Sequence, residues 1–506
     1  MEKDGRHALL VDGAPFLVLG LQARNSSAWP SQLPKVWPAV EKLHANTLEV
    51  PVSWEQMEPE SGRFDFTIVD ALLREARAHR VRLVLLWFGT WKNGSSHYIP
   101  LWMKREPQRY PRMVGADGRR VDSPSPHAAD FLAADTRAFR ALMRHLKVAD
   151  AQRTVIMVQV ENEPGTWGGL VRDHSPEAER LFAGPVPDAL RARLQVKAPA
   201  GATWTEAFGK DADEFFHAWS VARYIGQVAA AGKEEYPLPL YVNAALRDPL
   251  TPGPAGTYET GGATDNVLDV WKAAAPAIDL LAPDIYLEDS ARYRRVLEQY
   301  ARPDNALFVP ENGRAPFYAR HFFTALDKGA VGWAPFGLDF TAYANAPLGT
   351  PEVTDEALGP FALNYALVGP IARPVARLNF EGRVHAVAEE KDAHTQTIDL
   401  GRWTAVVTYG VPQFGFGRDP KGNPEPIGRA LVAVLSENEF LVTGAFCRVD
   451  FKPSDPALQR EFVRVEEGGY EKGVFRAHRI WNGDETDWGL NFASGPQAVR
   501  VVLGTY

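Results

Sequence analysis

The sequence predicts an α/β chain, with a (β/α)8 TIM barrel over residues 1–382 and a smaller C-terminal all-β sandwich over residues 383–506. Three observations predict this. Short apolar runs with β-branched residues recur along roughly the first 370 residues, separated by helical or long loop segments, which is the rhythm of βα units. Two of those runs end abruptly in polar tips that carry Glu, Glu161-Asn162-Glu163-Pro164-Gly165 and Glu311-Asn312-Gly313. After about Glu381 the chain turns to short strands split by Gly, Pro and Asp turns, a sandwich pattern.

In chain order, Phe16 to Gln22 reads as a buried first strand. A helix follows over Trp37 to Ala45, with Pro38 expected in its first turn, where no N–H is needed. Asn46 to Trp54 is the second strand, Ile68 to His79 an amphipathic helix and Val81 to Phe88 the third strand. Gly89 to Pro126 is a long polar and aromatic loop of the kind that binds ligands on a barrel. A helix over Asp130 to Leu146 leads to the fourth strand, Thr154 to Val160, whose composition suits burial on both faces. Pro164 and Gly165 end it, because Pro donates to no ladder and Gly permits a sharp exit.

An insertion, Thr166 to Asp211, is expected to wall the pocket, and Asp213 to Gly232 is helical. The fifth to eighth strands are Leu238 to Asn243, Ile278 to Tyr286, Leu307 to Glu311 and Gly329 to Phe336. Sandwich strands are expected at 384–387, 395–400, 403–409, 430–435, 439–442, 463–473 and 499–503. The aromatic residues Trp403, Phe414, Phe416 and Trp481 read as core there, although a glycan- or partner-binding role for this domain stays open.

Composition narrows the function classes. The 506 residues exceed one ordinary core. A net charge of −8 with no basic stripe argues against a nucleic-acid partner. No apolar run approaches membrane-spanning length, so no membrane partner is expected. The start, MEKDGRHALLVDG, lacks a leader pattern, which fits a cytoplasmic protein, or a periplasmic one whose leader was removed. Cys447 is the only cysteine, which rules out an intramolecular disulfide. There is no HExxH helix, GxSxG elbow or phosphate-binding GxxxxGK loop, and Gly415-Phe416-Gly417 is not followed by a helix start. His97 and His127 stand alone in polar loops. Glu58-Pro59 reads as a rim turn, and Glu49 and Glu55 as partners for Arg residues of the first loop.

The two Glu tips lie about 150 residues apart, and a barrel sets strand tips face to face at its C-terminal mouth. Paired carboxylates at about 5 Å suit a retaining glycosidase and at about 6.5–9.5 Å an inverting one. Strict strand alternation puts Glu161 and Glu163 on the same side and Asn162 on the other. Glu163 is the candidate acid, Glu311 the candidate nucleophile and Tyr286 a hydroxyl donor to it. Asn162 is placed to hold a sugar 2-hydroxyl.

VQVENEPG, with the upstream turn Glu58, Pro59, Gly62, Phe64, Asp65 and Phe66, resembles glycoside hydrolase family 35, the β-galactosidases of clan A. The runs Trp87 to Gly94, Tyr241 to Leu246 and Thr404 to Phe416 look like a bacterial branch associated with galactosylated xyloglucan. Larger members differ, with Tyr at the position of Pro164 and an Arg-Pro-Gly-Pro-Tyr run in place of Trp87 to Trp91. The resemblance implies a retaining exo-β-galactosidase with Glu163 as acid/base and Glu311 as nucleophile. It places Asn162, Asn243, Tyr286, Lys92 and Asn93 around the sugar, and Trp91, Trp167 and Trp333 as rings to stack on it. It implies a β-galactoside oligosaccharide as partner and no metal or organic cofactor, and is compatible with a homodimer. Two other readings stay open: another clan A glycosidase (β-glucosidase, β-mannosidase or α-L-arabinosidase), or a carbohydrate-binding protein on a dead barrel.

Overall fold

The computed structural model describes residues 1–167, 169–341, 352–410, 421–492, 495 and 497–506. Eight strands close a parallel barrel: β1 (Val18–Gln22), β2 (Thr47–Ser53), β3 (Arg82–Lys92), β4 (Val155–Asn162), β5 (Leu240–Ala244), β6 (Leu280–Ile285), β7 and β8 (Gly332–Trp333). β7 is split into Phe308–Val309 and Glu311–Asn312 around Pro310. Pro310 has no N–H to give, so the ladder breaks there. The first half pairs with β8 and the second with β6, and β8 pairs with β1, which closes the ring. β1, β2, β4, β5 and β6 are buried along their whole length, as a sheet covered on both faces requires.

The outer helices are α1 (Leu33–Leu43), α2 (Thr67–His79), α3 (Ala129–Ala149), α4 (Ala212–Glu235), α5 (Leu268–Ala274), α6 (Ser290–Tyr300) and α7 (His321–Asp327). Each presents an apolar face to the strands: α2 buries Val69, Leu72, Leu73 and Ala76 and stops at Arg80, which takes a left-handed cap. α1 starts four residues before the expected Trp37, so Pro38 lies inside it and Pro34 occupies the first turn. β3 runs four residues past Phe88, because Lys92 pairs with Asn162 across a bulge. The rest of the predicted loop contains a small hairpin, Arg112–Val114 with Arg120–Pro124. The insertion after β4 carries three short helices.

Two further helices, α8 (Asp355–Val368) and α9 (Ala372–Phe380), precede the first sandwich strand, β9 (Val384–Ala388). One sandwich layer is six-stranded. It contains β9, β12 (Arg429–Ser436), β13 (Glu439–Ala445), β18 (Ala498–Thr505), β15 (Arg460–Glu471) and β16 (Val474–Ile480). The other contains β10 (Thr395–Asp399), β11 (Trp403–Tyr409), β14 (Cys447–Pro453) and β17 (Leu490–Phe492). Three strands exceed the expectation: β14, β17, and β16, which turns back from β15. Trp403 and Trp481 are buried between the layers, as expected of core residues. Phe414, Phe416, the Gly415-Phe416-Gly417 run and Asp419-Pro420 lie outside the described residues.

The sandwich is fixed to the barrel. Leu431, Ala433, Leu441 and Ala445 join the barrel's own apolar core. Arg429, fully buried, donates to the Asn364 side chain and the Pro360 carbonyl of α8. A buried guanidinium must keep its acceptors, so these bonds tie the sandwich to α8.

Candidate active site

The barrel's C-terminal mouth gathers residues from six strands. Glu163 follows β4, and its neighbour Glu161 lies within that strand, but both have left-handed backbones, φ 40° and 66°. Two such kinks in three residues break the period-two alternation, so the expectation that Glu161 and Glu163 share a side is corrected. Glu161 turns out toward α3. There it accepts the Trp91 N–H at 2.6 Å and faces Asp135, and burial and that second carboxyl raise its pKa well above the usual range. Glu163 stays at the mouth. Its own N–H donates to Asn243 Oδ1 at 2.9 Å, and its carbonyl accepts the Gly94 N–H at 2.9 Å.

Glu311, on the second half of β7, is 5% exposed. Each of its oxygens has a neutral donor: Tyr286 O–H at 2.5 Å on Oε1 and Gln22 Nε2 at 3.1 Å on Oε2. Such an arrangement suits a carboxylate that must stay ionised and fixed in direction. Asp284 of β6 completes a trio. One oxygen from each of Glu163, Asp284 and Glu311 lies within 4.8 Å of the others. These three acids are also close enough to share a cation, but Tyr286, Gln22 and Asn243 already donate to Glu311 and Asp284.

The acids are not equivalent. Burial, and then the negative charge of Glu311, push Glu163 up to about 7, against the opposing pull of Lys92. A carboxyl poised there can donate a proton near neutrality and take one back. Lys92 is nearly buried and donates to Asn162 Oδ1 at 2.7 Å and Asn93 Oδ1 at 2.5 Å. Asn162 Nδ2 is buried and makes no hydrogen bond, so it is free to meet a ligand oxygen.

The structure therefore brings Glu163, Glu311, Asn162, Asn243, Tyr286, Lys92 and Asn93 together. Trp167 is 48% exposed, and its side chain lies beside the Glu259 carboxyl and Gly94 at the edge of this group. Trp91 and Trp333 are corrected: both are fully buried and turn away from the mouth. Trp91 packs edge-on against Tyr224 of α4, while Trp333 stacks on Phe361 of α8 and donates to Tyr293 O–H at 3.0 Å. Glu49 and Glu55 are also corrected. Glu49 is buried under the mouth, beside Tyr241 and Glu311, and Glu55 pairs with Lys104.

Two acids were missed in the sequence. Asp284 sits mid-strand after Pro283, and only its two-residue spacing from Tyr286 hints that the pair share a face. Glu259 lies in a Thr/Gly loop with no strand signal. It is 2% exposed, Glu163 and Lys92 are its charged neighbours, and the Trp167 side chain lies beside its carboxyl. Its loop is clasped to the one leaving Glu163, since Thr166 N–H donates to the Thr260 carbonyl at 2.8 Å. Gly165 permits that approach: its φ is +146°, and a Cβ there would lie 2.4 Å from the Thr260 oxygen.

Residues 27–224 match the family model of glycoside hydrolase family 42, described as "Beta-galactosidase". Residues 361–493 match a second one, "Domain of unknown function (DUF5597)", which begins inside α8 rather than at the first sandwich strand. Over 181 residues the chain is 29% identical to a β-galactosidase of Xanthomonas manihotis, a stretch covering 33% of this chain and 26% of that protein. The fold resembles the β-galactosidase of Rahnella sp. R3, with TM-score 0.51 and 16% identity over 73% of this chain and 58% of that one. It also resembles the β-galactosidase of Bacillus circulans sp. alkalophilus, with TM-score 0.51 and 12% identity over 71% and 57% of the two chains.

The chain thus spans about a quarter of its curated relative, and these solved structures share its barrel fold. The matching family is 42, a different family from the 35 that the motifs resemble, so the likeness holds at the level of β-galactosidases of clan A.

Proposed function

We propose that this protein is a retaining β-galactosidase. The observation that carries the reading is the approach of the Glu163 and Glu311 carboxyl oxygens to within 4.8 Å. That separation is compatible with direct attack and leaves little room for the extra water of an inverting enzyme. Glu163, poised near 7, gives its proton to the glycosidic oxygen. Glu311 attacks the anomeric carbon from the opposite face, an ester forms and the leaving alcohol departs. Esterification removes the Glu311 charge, which is one of the two causes raising Glu163. Glu163 then becomes the stronger acid, is ionised more fully, and serves as the base that takes a proton from water. Attack of that water breaks the ester, restores Glu311 and releases the sugar with its original β configuration.

Asn162, with its free Nδ2, is set to hold the 2-hydroxyl, and Lys92 and Asn93 fix Asn162 in turn. Preference for galactose is supported by the partial family 42 match and the Xanthomonas manihotis relative. The narrower reading, exo-action on galactosylated xyloglucan fragments by a family 35 enzyme, rests on the motif resemblance. Among the described residues no helix is long and apolar enough to cross a membrane.

Hydrolysis of aryl β-galactoside, β-glucoside, β-mannoside and α-L-arabinoside, followed by NMR of the first-formed anomer, tests this. The expected result is fastest turnover of the galactoside with β-galactose formed first. Faster turnover of another glycoside removes the galactose assignment. The α-anomer appearing first removes the retaining mechanism. Absence of any turnover returns the dead-barrel binding protein.

A further inference from the structure

Three carboxyls converge in the mouth, but the reaction above uses two. Asp284 is 2% exposed and lies within 4.8 Å of both Glu163 and Glu311 through one oxygen of each. Its Oδ2 accepts the Asn243 amide at 2.6 Å. Its Oδ1 is buried and has no donor facing it. Asn243 is a bridge, because its Oδ1 accepts the Glu163 N–H while its amide holds Asp284, so one side chain fixes Asp284 against the backbone of the acid/base residue.

Three negative charges this close, with Lys92 the cation acting on them, would repel strongly in a water-poor site. The hydrogen-bond donors around the trio are shared unequally. Glu311 has a donor on each oxygen. Asp284 has a donor on one oxygen only. Leaving a buried oxygen without a donor is costly, and more so if it is charged. A proton on Oδ1 turns that orphan from an acceptor with no donor into a donor with acceptors in reach.

We propose that Asp284 is a neutral carboxylic acid in the working enzyme, and that its O–H is the hydrogen-bond donor that holds Glu163 whenever Glu163 is a carboxylate. This rests on the glycosidase reading for its catalytic meaning, though not for its protonation state. Asp284 is a positioning residue: it touches Glu163 rather than the reacting atoms. Glu163 passes through the carboxylate form after each proton transfer to a leaving group. A donor waiting on one of its oxygens steadies that form and leaves the other oxygen to water. Glu311 from β7, Glu163 after β4 and Lys92 from β3 are the charged groups facing Asp284, and the phenols of Tyr286 from beyond β6, Tyr241 from β5 and Tyr300 from α6 are the nearby weak acids. Burial first, then the charges of Glu311 and Glu163, hold its own pKa well above the usual range.

Two measurements test this. The first is infrared difference spectroscopy at pH 8, wild type against Asp284→Asn, which reads protonation without any turnover. The expected result is a protonated-carboxyl C=O band in wild type that is missing from the variant. A missing carboxylate band instead overturns the proposal, whatever the enzyme hydrolyses. The second is the alkaline limb of kcat/KM for the glycoside that wild type cleaves best, in Asp284→Asn and Asp284→Ala. Asn can accept from Asn243 and donate to Glu163, so the limb is expected to stay in place. Ala has no donor, so the Glu163 carboxylate loses support and the limb moves up by about 1–2 pH units. A limb moved down in Asp284→Asn means that Asp284 acted through a negative charge, and an unmoved limb in Asp284→Ala means that it holds nothing; either overturns the proposal. If wild type cleaves no glycoside, the enzymatic reading falls and the infrared result alone decides the state of Asp284.

Discussion

Replacing Glu163 by Gln is expected to stabilise the protein, and increasingly so as pH rises. Burial and the Glu311 charge push Glu163 from about 4.5 to about 7 in the folded protein. The folded state therefore binds this proton more tightly than the unfolded chain does. Stability from this group is complete below about pH 4.5 and is lost as pH rises through about 7. At about 1.4 kcal/mol per pH unit, the full loss is on the order of 3 kcal/mol, and about 2–3 kcal/mol of it falls between pH 5 and pH 8. Gln cannot ionise, so the variant lacks this decline. Its other effects on packing are the same at both pH values and cancel in the comparison. Urea unfolding of both proteins at pH 5 and pH 8, followed by tryptophan fluorescence, reads the difference. The stability gap in favour of Glu163→Gln should widen by about 2–3 kcal/mol. A gap that stays constant would refute the claim that Glu163 is held out of its ordinary range.

Other expectations follow from the same geometry. kcat/KM should fall as pH rises through about 7, since the acid form of Glu163 is the one that donates; a limb several units higher contradicts the assignment of the acid. Tyr286→Phe removes one of the two donors on Glu311 and should lower kcat/KM about 10- to 100-fold with the fold intact by circular dichroism; an unchanged kcat/KM means that the hydroxyl is dispensable. Trp333→Ala should destabilise the barrel by about 3–5 kcal/mol, because it empties a core position between Phe322 and Phe361, and should leave KM unmoved in the enzyme that remains folded. A raised KM would return Trp333 to the sugar site.

Most of the barrel was legible because its strands are apolar on both faces and carry their own stop signals. Pro164 and Gly165 end β4, and Pro310 splits β7 without moving it. The Glu pair was legible because polar residues at the end of such runs have few other reasons to be there. Side-chain direction was less so. Parity from Glu161 to Glu163 failed because both residues are themselves left-handed, and nothing in their sequence distinguishes them from extended ones. The resemblance set Trp91 and Trp333 on the sugar, yet a ring near the mouth can turn to the helices as readily as to the lumen. Asp284 was hidden inside a strand that reads as apolar, and Glu259 reaches the site only through a loop-to-loop clasp that no local pattern encodes. In the sandwich, β14 and β17 escaped notice because Arg448, Asp450 and Asn491 interrupt their apolar residues, and alternation over so few positions is faint.

The central claim is the division of labour between Glu163 and Glu311. Azide rescue of Glu163→Ala and Glu311→Ala on an activated aryl β-galactoside tests it most directly. The expected products are a β-galactosyl azide from Glu163→Ala, in which azide opens the ester on Glu311, and an α-galactosyl azide from Glu311→Ala, in which azide takes the place of the missing carboxylate. Rescue with the two anomers exchanged would reverse the roles, and wild-type turnover with no rescue of either variant would contradict the assignment of these two residues.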